Sequence, residues 1–212
     1  MSGRGHGTAQ PGSRHDRDVL RTELFSDAVL AIIITLLGLE LRPPQVESGR
    51  LLAGLLAEWP VYLAYTTSFV NIAVVWLSHR TAFSRIIRVD LGLSWANFGV
   101  LFCTALLPFA TAVVSQSLKD GSGADIRTAT AFYGLVGTIL LGSWWILYAR
   151  LVRRPELTEQ GGPDFFRRER RRPLLGMLLF PAGALVGYFS FWVAFAIFLA
   201  LPLIYATTAT RE

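Results

Sequence analysis

The sequence predicts an all-α, polytopic membrane protein, and three observations carry that expectation. Hydrophobic residues make up 52% of its 212 positions and charged residues only 17%, with a mean hydropathy of +0.45. Apolar runs of roughly 20 residues, the length a helix needs to cross a hydrocarbon core, recur along the chain. The arginines gather between those runs and alternate in density from one connection to the next. A soluble domain of this size carries more charge and lacks repeated runs of membrane length.

Residues 1–18 are rich in Gly, Ser, Arg and His with almost no apolar content, which predicts a disordered tail. The first apolar run, 19–41, ends in Glu40-Leu41-Arg42-Pro43-Pro44 with no small-x-small cleavage site, so it reads as a retained span and not a signal peptide. Proline cannot continue a helix, which stops this span at Pro43. A second span starts near Leu51 or Pro60 and closes at Ser78-His79-Arg80; a third covers 91–114, with Pro108 predicting a kink. The fourth covers 128–151. The stretch 174–206 is too long for one span and short for two, and Gly187 to Ser190 predicts a turn between two short helices. The expectation is six spans within 19–207, a basic inner loop at 152–173, and a short tail at 208–212.

With the N-terminus inside, 16 of the 20 Lys and Arg residues fall in inner segments and four in outer ones. That bias predicts a multi-pass protein of the cell membrane with both termini cytoplasmic. The inner loop at 152–173 alone holds seven arginines, which predicts contact with anionic lipid headgroups in preference to nucleic acid. The single lysine, Lys119, reads as a codon-composition effect. The lone Cys103 excludes an internal disulfide and any multi-cysteine metal site, and predicts a small buried packing residue. No metal or other cofactor is expected.

Placed on a helix at about 100° per residue with Ile32 at zero, Phe25, Leu36 and Leu39 fall within about 40° of it and Thr35 at about −60°. They form one apolar stripe with a hydroxyl beside it. Periodicity alone favours lipid contact or ordinary core packing for such a stripe. Asp27 falls near −140° and Ser26 near +120°, on the other side, and Ala31 and Gly38 flank Asp27 (all about, at 100° per residue). These positions predict a back face suited to close helix packing. A carboxylate inside a span costs about 2.5–3.5 kcal/mol on insertion scales, so Asp27 calls for partners. Ser26 and Asp27 as helix caps near the headgroups is the competing reading. Trp76, His79 and Asn97 lie at a similar depth and are the candidate partners. Glu40, Glu47 and Glu58 fall at the outer mouth, where weak attraction of cations is expected.

The pattern Arg21-x-x-x-Phe25-Ser26-Asp27 resembles the signature of the lysosomal potassium channel family (transmembrane protein 175) and its prokaryotic relatives. Trp76-x-x-His79-Arg80 at the close of the second span, Asn97, and Leu107-Pro108-Phe109 in the third are similar to that family as well. The similarity covers 19–109; the later spans correspond in length and placement only. The resemblance implies that the first helix lines a pore. Ile32 would then form its hydrophobic constriction, with Leu36 and Leu39 as further apolar layers and Thr35 as the neighbouring hydroxyl. It also implies that Arg21, Phe25, Ser26 and Asp27 face away and hold the helix through a polar network with Trp76, His79 and Asn97. Eukaryotic members carry two six-helix repeats and dimerise, so the single repeat here implies a homotetramer.

The expected function is a potassium-permeable cation channel that also admits other monovalent cations, closed by an Ile/Leu constriction. The chain has no Thr-Val-Gly-Tyr-Gly carbonyl filter, which excludes ordinary potassium-channel selectivity. The alternative is a proton-permeable channel or transporter that uses Asp27 and His79. A polytopic membrane enzyme with those two residues as acid and base lacks a third group, a metal set and a substrate pocket, and no enzymatic activity is expected.

Overall fold

A computed structural model of the chain describes residues 14–209. Helices dominate them: α1 (Arg14–Gly38), α2 (Leu51–Ala57), α3 (Trp59–Phe83), α4 (Leu91–Ala105), α5 (Leu107–Asp120), α6 (Gly123–Arg153), α7 (Gly162–Glu169), α8 (Arg171–Gly187) and α9 (Phe191–Ala209). Residues 14–18, read from sequence as part of the tail, are the first turns of α1. The rest of that tail and residues 210–212 lie outside the described residues. Three helical stretches among the described residues are long and apolar enough to cross a membrane: Trp59–Phe83, Leu91–Asp120 and Gly123–Arg153.

The breaks follow local chemistry. Pro108 has no N–H to return to Thr104, so the third span turns at Leu106, whose N–H bonds back to Cys103 instead. Cys103 itself is buried there, as expected. The second span is interrupted at Glu58, between α2 and α3. The chain reverses between Gly187 and Phe191, where the glycine and serine of the sequence had marked a turn. α6 opens on a capping box, with Ser122 and Asp125 each satisfying the other's backbone.

α6 is the spine of the bundle and packs against α4, α5, α7, α8 and α9, while α1 lies against α3 and α4. The α6–α8 seam is made by small residues. A Cβ on Gly137 would run into the Phe180 ring, and one on Gly187 would meet the Thr130 methyl. Without a hydrophobic drive between helices in lipid, such close backbone approach supplies the packing energy. Mid-membrane hydroxyls pair with each other: Ser68 with Thr111 and with Tyr133 at 3.1 Å, and Asn71 donates to the same phenol. A hydrocarbon interior leaves such groups no water, so they satisfy one another across α3, α5 and α6.

The basic loop is folded. Ile86 pairs with Thr158 in an isolated antiparallel bridge, and the Ile87 N–H bonds to the Leu157 carbonyl. Phe165 and Phe166 of α7 are buried beneath it, and the Arg85 guanidinium lies 4.3 Å above the Phe165 ring.

Candidate functional site

The inward face of α1 is Ser26, Leu30, Ile33 and Leu37, all buried, at the four- and three-residue spacing of one helical stripe. Its outward face is Phe25, Ile32, Leu36 and Leu39, between 49% and 68% exposed. Thr35 is exposed beside them and its hydroxyl bonds back to the Ile32 carbonyl at 2.7 Å. The back face expected from Asp27, Ala31 and Gly38 is therefore rotated. Burial centres on the Ser26 side, Asp27 and Gly38 sit at its edge, and Ala31 is exposed. Bulky Leu30, Ile33 and Leu37 bury more apolar area than small residues can, which sets the rotation.

Ser26 and Asp27 sit twelve and thirteen residues into a helix that begins at Arg14, which removes the capping reading. Instead each ties α1 to a different neighbour. The Asn97 amide on α4 donates to the Ser26 hydroxyl at 2.8 Å, and Ser26 donates to the Thr22 carbonyl at 2.8 Å. With its amide committed, Asn97 uses its carbonyl oxygen to accept from His79 Nε2 at 3.0 Å. That direction puts the imidazole proton on Nε2. His79 Nδ1 is then buried without a partner, and the ring stacks on Phe83 at 4.1 Å. Ser26, His79 and Asn97 are all fully buried.

Asp27 stands outside this chain of bonds. Its carboxylate accepts from the Trp76 indole on α3 at 3.0 Å, and Trp76 is also capped by the Arg80 guanidinium at 5.9 Å. Of the three partners expected for Asp27, only Trp76 bonds to it; His79 and Asn97 serve Ser26. Arg21 is exposed, and Phe25 meets Phe98 of α4 edge-on at 5.8 Å.

Two ion pairs were not anticipated. At the end of the bundle where α5 turns into α6 the Lys119 ammonium holds both oxygens of the buried Glu58, at 2.6 and 2.8 Å. The sole lysine thus has a structural partner, and Glu58 is no free acid attracting cations. The pair bounds an open depression of about 660 Å³ together with Glu40, Asp120 and Asp125. At the opposite end Asp90 caps α4, accepting from the Leu93 N–H at 2.7 Å, and binds the Arg150 guanidinium of α6 at 2.6 and 3.2 Å. Gly92 leaves room for that guanidinium, which occupies the space a Cβ would take. An Asp just before an apolar run was a legible cap signal; its partner 60 residues on was not.

Partial burial pushes the Asp90 carboxyl up. The Arg150 hydrogen bond, the Leu93 N–H and the charges of Arg150 and Arg154 outweigh it and hold the group below its ordinary value. A depressed folded-state value stabilises above the unfolded value and is lost as pH falls through the folded one. Asparagine caps as well as aspartate, so Asp90→Asn isolates the ion pair. The expected outcome is a variant about 0.5–1 kcal/mol less stable at pH 7, a difference that closes below about pH 4. Thermal melts of the detergent-purified protein across that range check it; a gap that persists at low pH contradicts the assignment.

Among the described residues no group of His, Cys, Asp and Glu could hold a metal ion. The sequence model of the family described as "Endosomal/lysosomal potassium channel TMEM175" matches residues 21–108. A Streptomyces collinus protein named a potassium channel is 36% identical over 163 residues, covering 76% of this chain and 78% of that one. One from Chamaesiphon minutus, also named a potassium channel, is 38% identical over 59% of this chain and 63% of its own length. A rat endosomal/lysosomal proton channel is 27% identical over 86% of this chain, which spans 40% of that protein. The solved crystal structure of a lysosomal potassium-selective channel TMEM175 homologue from Chamaesiphon minutus superposes with a TM-score of 0.80. It is 27% identical, and the match covers 92% of this chain and all of that one.

Proposed function

The chain belongs to the TMEM175 family of ion channels and is no enzyme, and from that premise we propose that it forms a potassium-permeable cation channel. The channel is a homotetramer of six-span subunits in the cell membrane, with both termini cytoplasmic and α1 of each subunit around the axis. One observation carries this reading. α1 buries one face against α3 and α4 and leaves Ile32, Leu36 and Leu39 exposed in a continuous line on the other. Four such lines facing each other make successive apolar rings. A ring of this kind dewets when narrow and passes ions that shed part of their hydration when wider. Selectivity then rests on how readily an ion gives up water, and potassium gives it up more readily than sodium. Thr35, beside Ile32, offers a hydroxyl to an ion in transit.

Arg21, Phe25, Ser26 and Asp27 support the pore helix from behind, through Trp76 for Asp27 and through Asn97 and His79 for Ser26. A second reading, proton permeation, is supported by the description of the rat relative. Asp27 and His79 are the titratable groups available to it, each bound to its own partner.

The assembly is tested by mass in detergent, where a tetramer of the 23.4 kDa chain is expected and a stable monomer or dimer overturns the arrangement. Permeation is tested by reversal potentials of the purified protein in planar bilayers under opposed K⁺ and Na⁺ gradients. A reversal potential that follows pH and ignores K⁺ favours the proton reading.

A further inference from the structure

Between α4 and α6, at the end of the bundle that carries the basic loop, lies an open groove of about 570 Å³. One wall is Gly92, Trp95 and Ala96; the other runs along α6 from Trp145 and Ile146 to Arg150, Arg153 and Arg154. The order of these groups along α6 is graded. Arginines stand at the mouth, Ile146 and then Trp145 lie further in, and on the α4 wall Trp95 is followed toward the membrane centre by exposed Phe102. Arg153 and Ile146 are seven residues apart, about 10 Å along a helix; one headgroup layer is roughly 5–7 Å deep, so a phosphate at Arg153 brings acyl methylenes beside Ile146.

The charges in the groove do not cancel. Asp90 binds Arg150 and reaches Arg154 at 3.7 Å, and Glu156 reaches Arg154 at 3.3 Å. Arg153 has no ion pair or hydrogen bond among the described residues, which leaves the mouth one positive charge in excess. Trp145 contributes a second unmet group: its indole N–H is buried beside the groove with no partner. An unpaired guanidinium, indoles at interface depth and an apolar run below them fit one kind of molecule.

We propose that this groove seats an anionic phospholipid of the inner leaflet. Its phosphate lies against Arg153, braced by Arg150 and Arg154, and an acyl chain lies between Trp95 and Ile146. Arg150 and Arg154 are already aligned by Asp90, so the mouth is pre-organised and only Arg153 has to move. The lipid bridges α4 and α6, the helices that the Asp90–Arg150 pair also joins. The inference rests on the membrane orientation proposed above but not on ion permeation, and its test reads no current.

The test is tryptophan quenching in proteoliposomes of phosphatidylcholine. A minor, equal fraction of either phosphatidylglycerol or phosphatidylcholine carries brominated acyl chains. Wild type is expected to be quenched more by brominated phosphatidylglycerol, Trp95→Phe to lose part of that excess, and the double variant Trp95→Phe/Trp145→Phe to lose it. Arg153→Gln should weaken the preference about fivefold, the share of one basic group near a lipid surface. Arg167→Gln, at an exposed site on α7 already paired with Asp164, should leave it unchanged. Arg153 is exposed and unpaired, so its variant keeps the fold, which elution volume verifies. Equal quenching by the two lipids in wild type overturns the proposal. So does an equal loss in Arg153→Gln and Arg167→Gln, which would mean a diffuse basic surface. Quenching by neither lipid also overturns it, since a second copy of the chain would then cover the groove.

Discussion

Ile32→Ala and Ile32→Asn raise unitary conductance severalfold and reduce K⁺/Na⁺ discrimination. Ile32 is 56% exposed on the face of α1 that no other helix of the subunit covers. In the proposed tetramer four copies close a ring, and the barrier there is the cost of stripping water from an ion against branched hydrocarbon. Alanine widens the ring and asparagine offers it polar atoms, so both lower that cost; each ~1.4 kcal/mol removed is worth about tenfold in rate. Discrimination falls because a hydrated ion no longer has to reveal its identity. Val29→Ala serves as the control, since Val29 packs against the core and lies off the stripe. Paired conductance and reversal-potential measurements decide the matter. Unchanged current and selectivity in both Ile32 variants remove this residue from the pore.

Asn97→Leu destabilises the folded protein by about 2–5 kcal/mol, far more than Asp27→Asn does. Asn97 donates to Ser26 and accepts from His79, and both partners are fully buried. Leucine takes the one hydrogen bond from His79 and the donor from the Ser26 oxygen, which keeps only its bond to the Thr22 carbonyl; an unmet buried polar group costs about 1–3 kcal/mol. Asp27→Asn keeps a carbonyl oxygen that still accepts from the Trp76 indole, so its expected cost is under about 1 kcal/mol. The two are compared by thermal unfolding followed by elution of the assembled species. An Asp27→Asn loss as large as that of Asn97→Leu would mean the carboxylate holds more than Trp76. Sequence reasoning alone had put Asp27 at the centre of the network; the bonds put Asn97 there.

Much of the architecture was legible because it rests on local rules. Pro108 and the Gly187–Ser190 turn end helices through their own backbone chemistry, whereas α1 stops at Gly38, five residues short of the Pro43 expected to end it. The Ile32, Leu36 and Leu39 line follows from the helical period. What escaped was rotation and pairing. Ser26 and Asp27 are adjacent in sequence, yet about 100° of helical turn sends them to different neighbours, and which one is buried depends on Leu30, Ile33 and Leu37 filling the gap to α3 and α4. Glu58 with Lys119 and Asp90 with Arg150 are separated by about sixty residues, a separation across which a single sequence carries no pairing signal. Phe165 and Phe166 were visible in the basic loop, but the surrounding arginines dominated its reading and hid a small folded unit.

The ties that hold α1 are unevenly spread. The hydrogen bonds that tie it to α4 and α3, Asn97 to Ser26 and Trp76 to Asp27, come from adjacent residues near one end of the apolar run. Beyond them α1 meets its subunit through Leu30, Ile33 and Leu37, whose contact has no preferred direction and slides at little cost. A rod pinned at one end and greased along the rest behaves as a lever. Ile32 sits about 8 Å from the Asp27 pin and Leu39 about 18 Å, at 1.5 Å per residue. A tilt of about 10° therefore displaces Leu39 by roughly 3 Å and Ile32 by little more than 1 Å. In the proposed pore the far ring at Leu39 swings more than twice as far as the ring at Ile32, so the opening flares toward Leu39 and the narrowest point stays at Ile32.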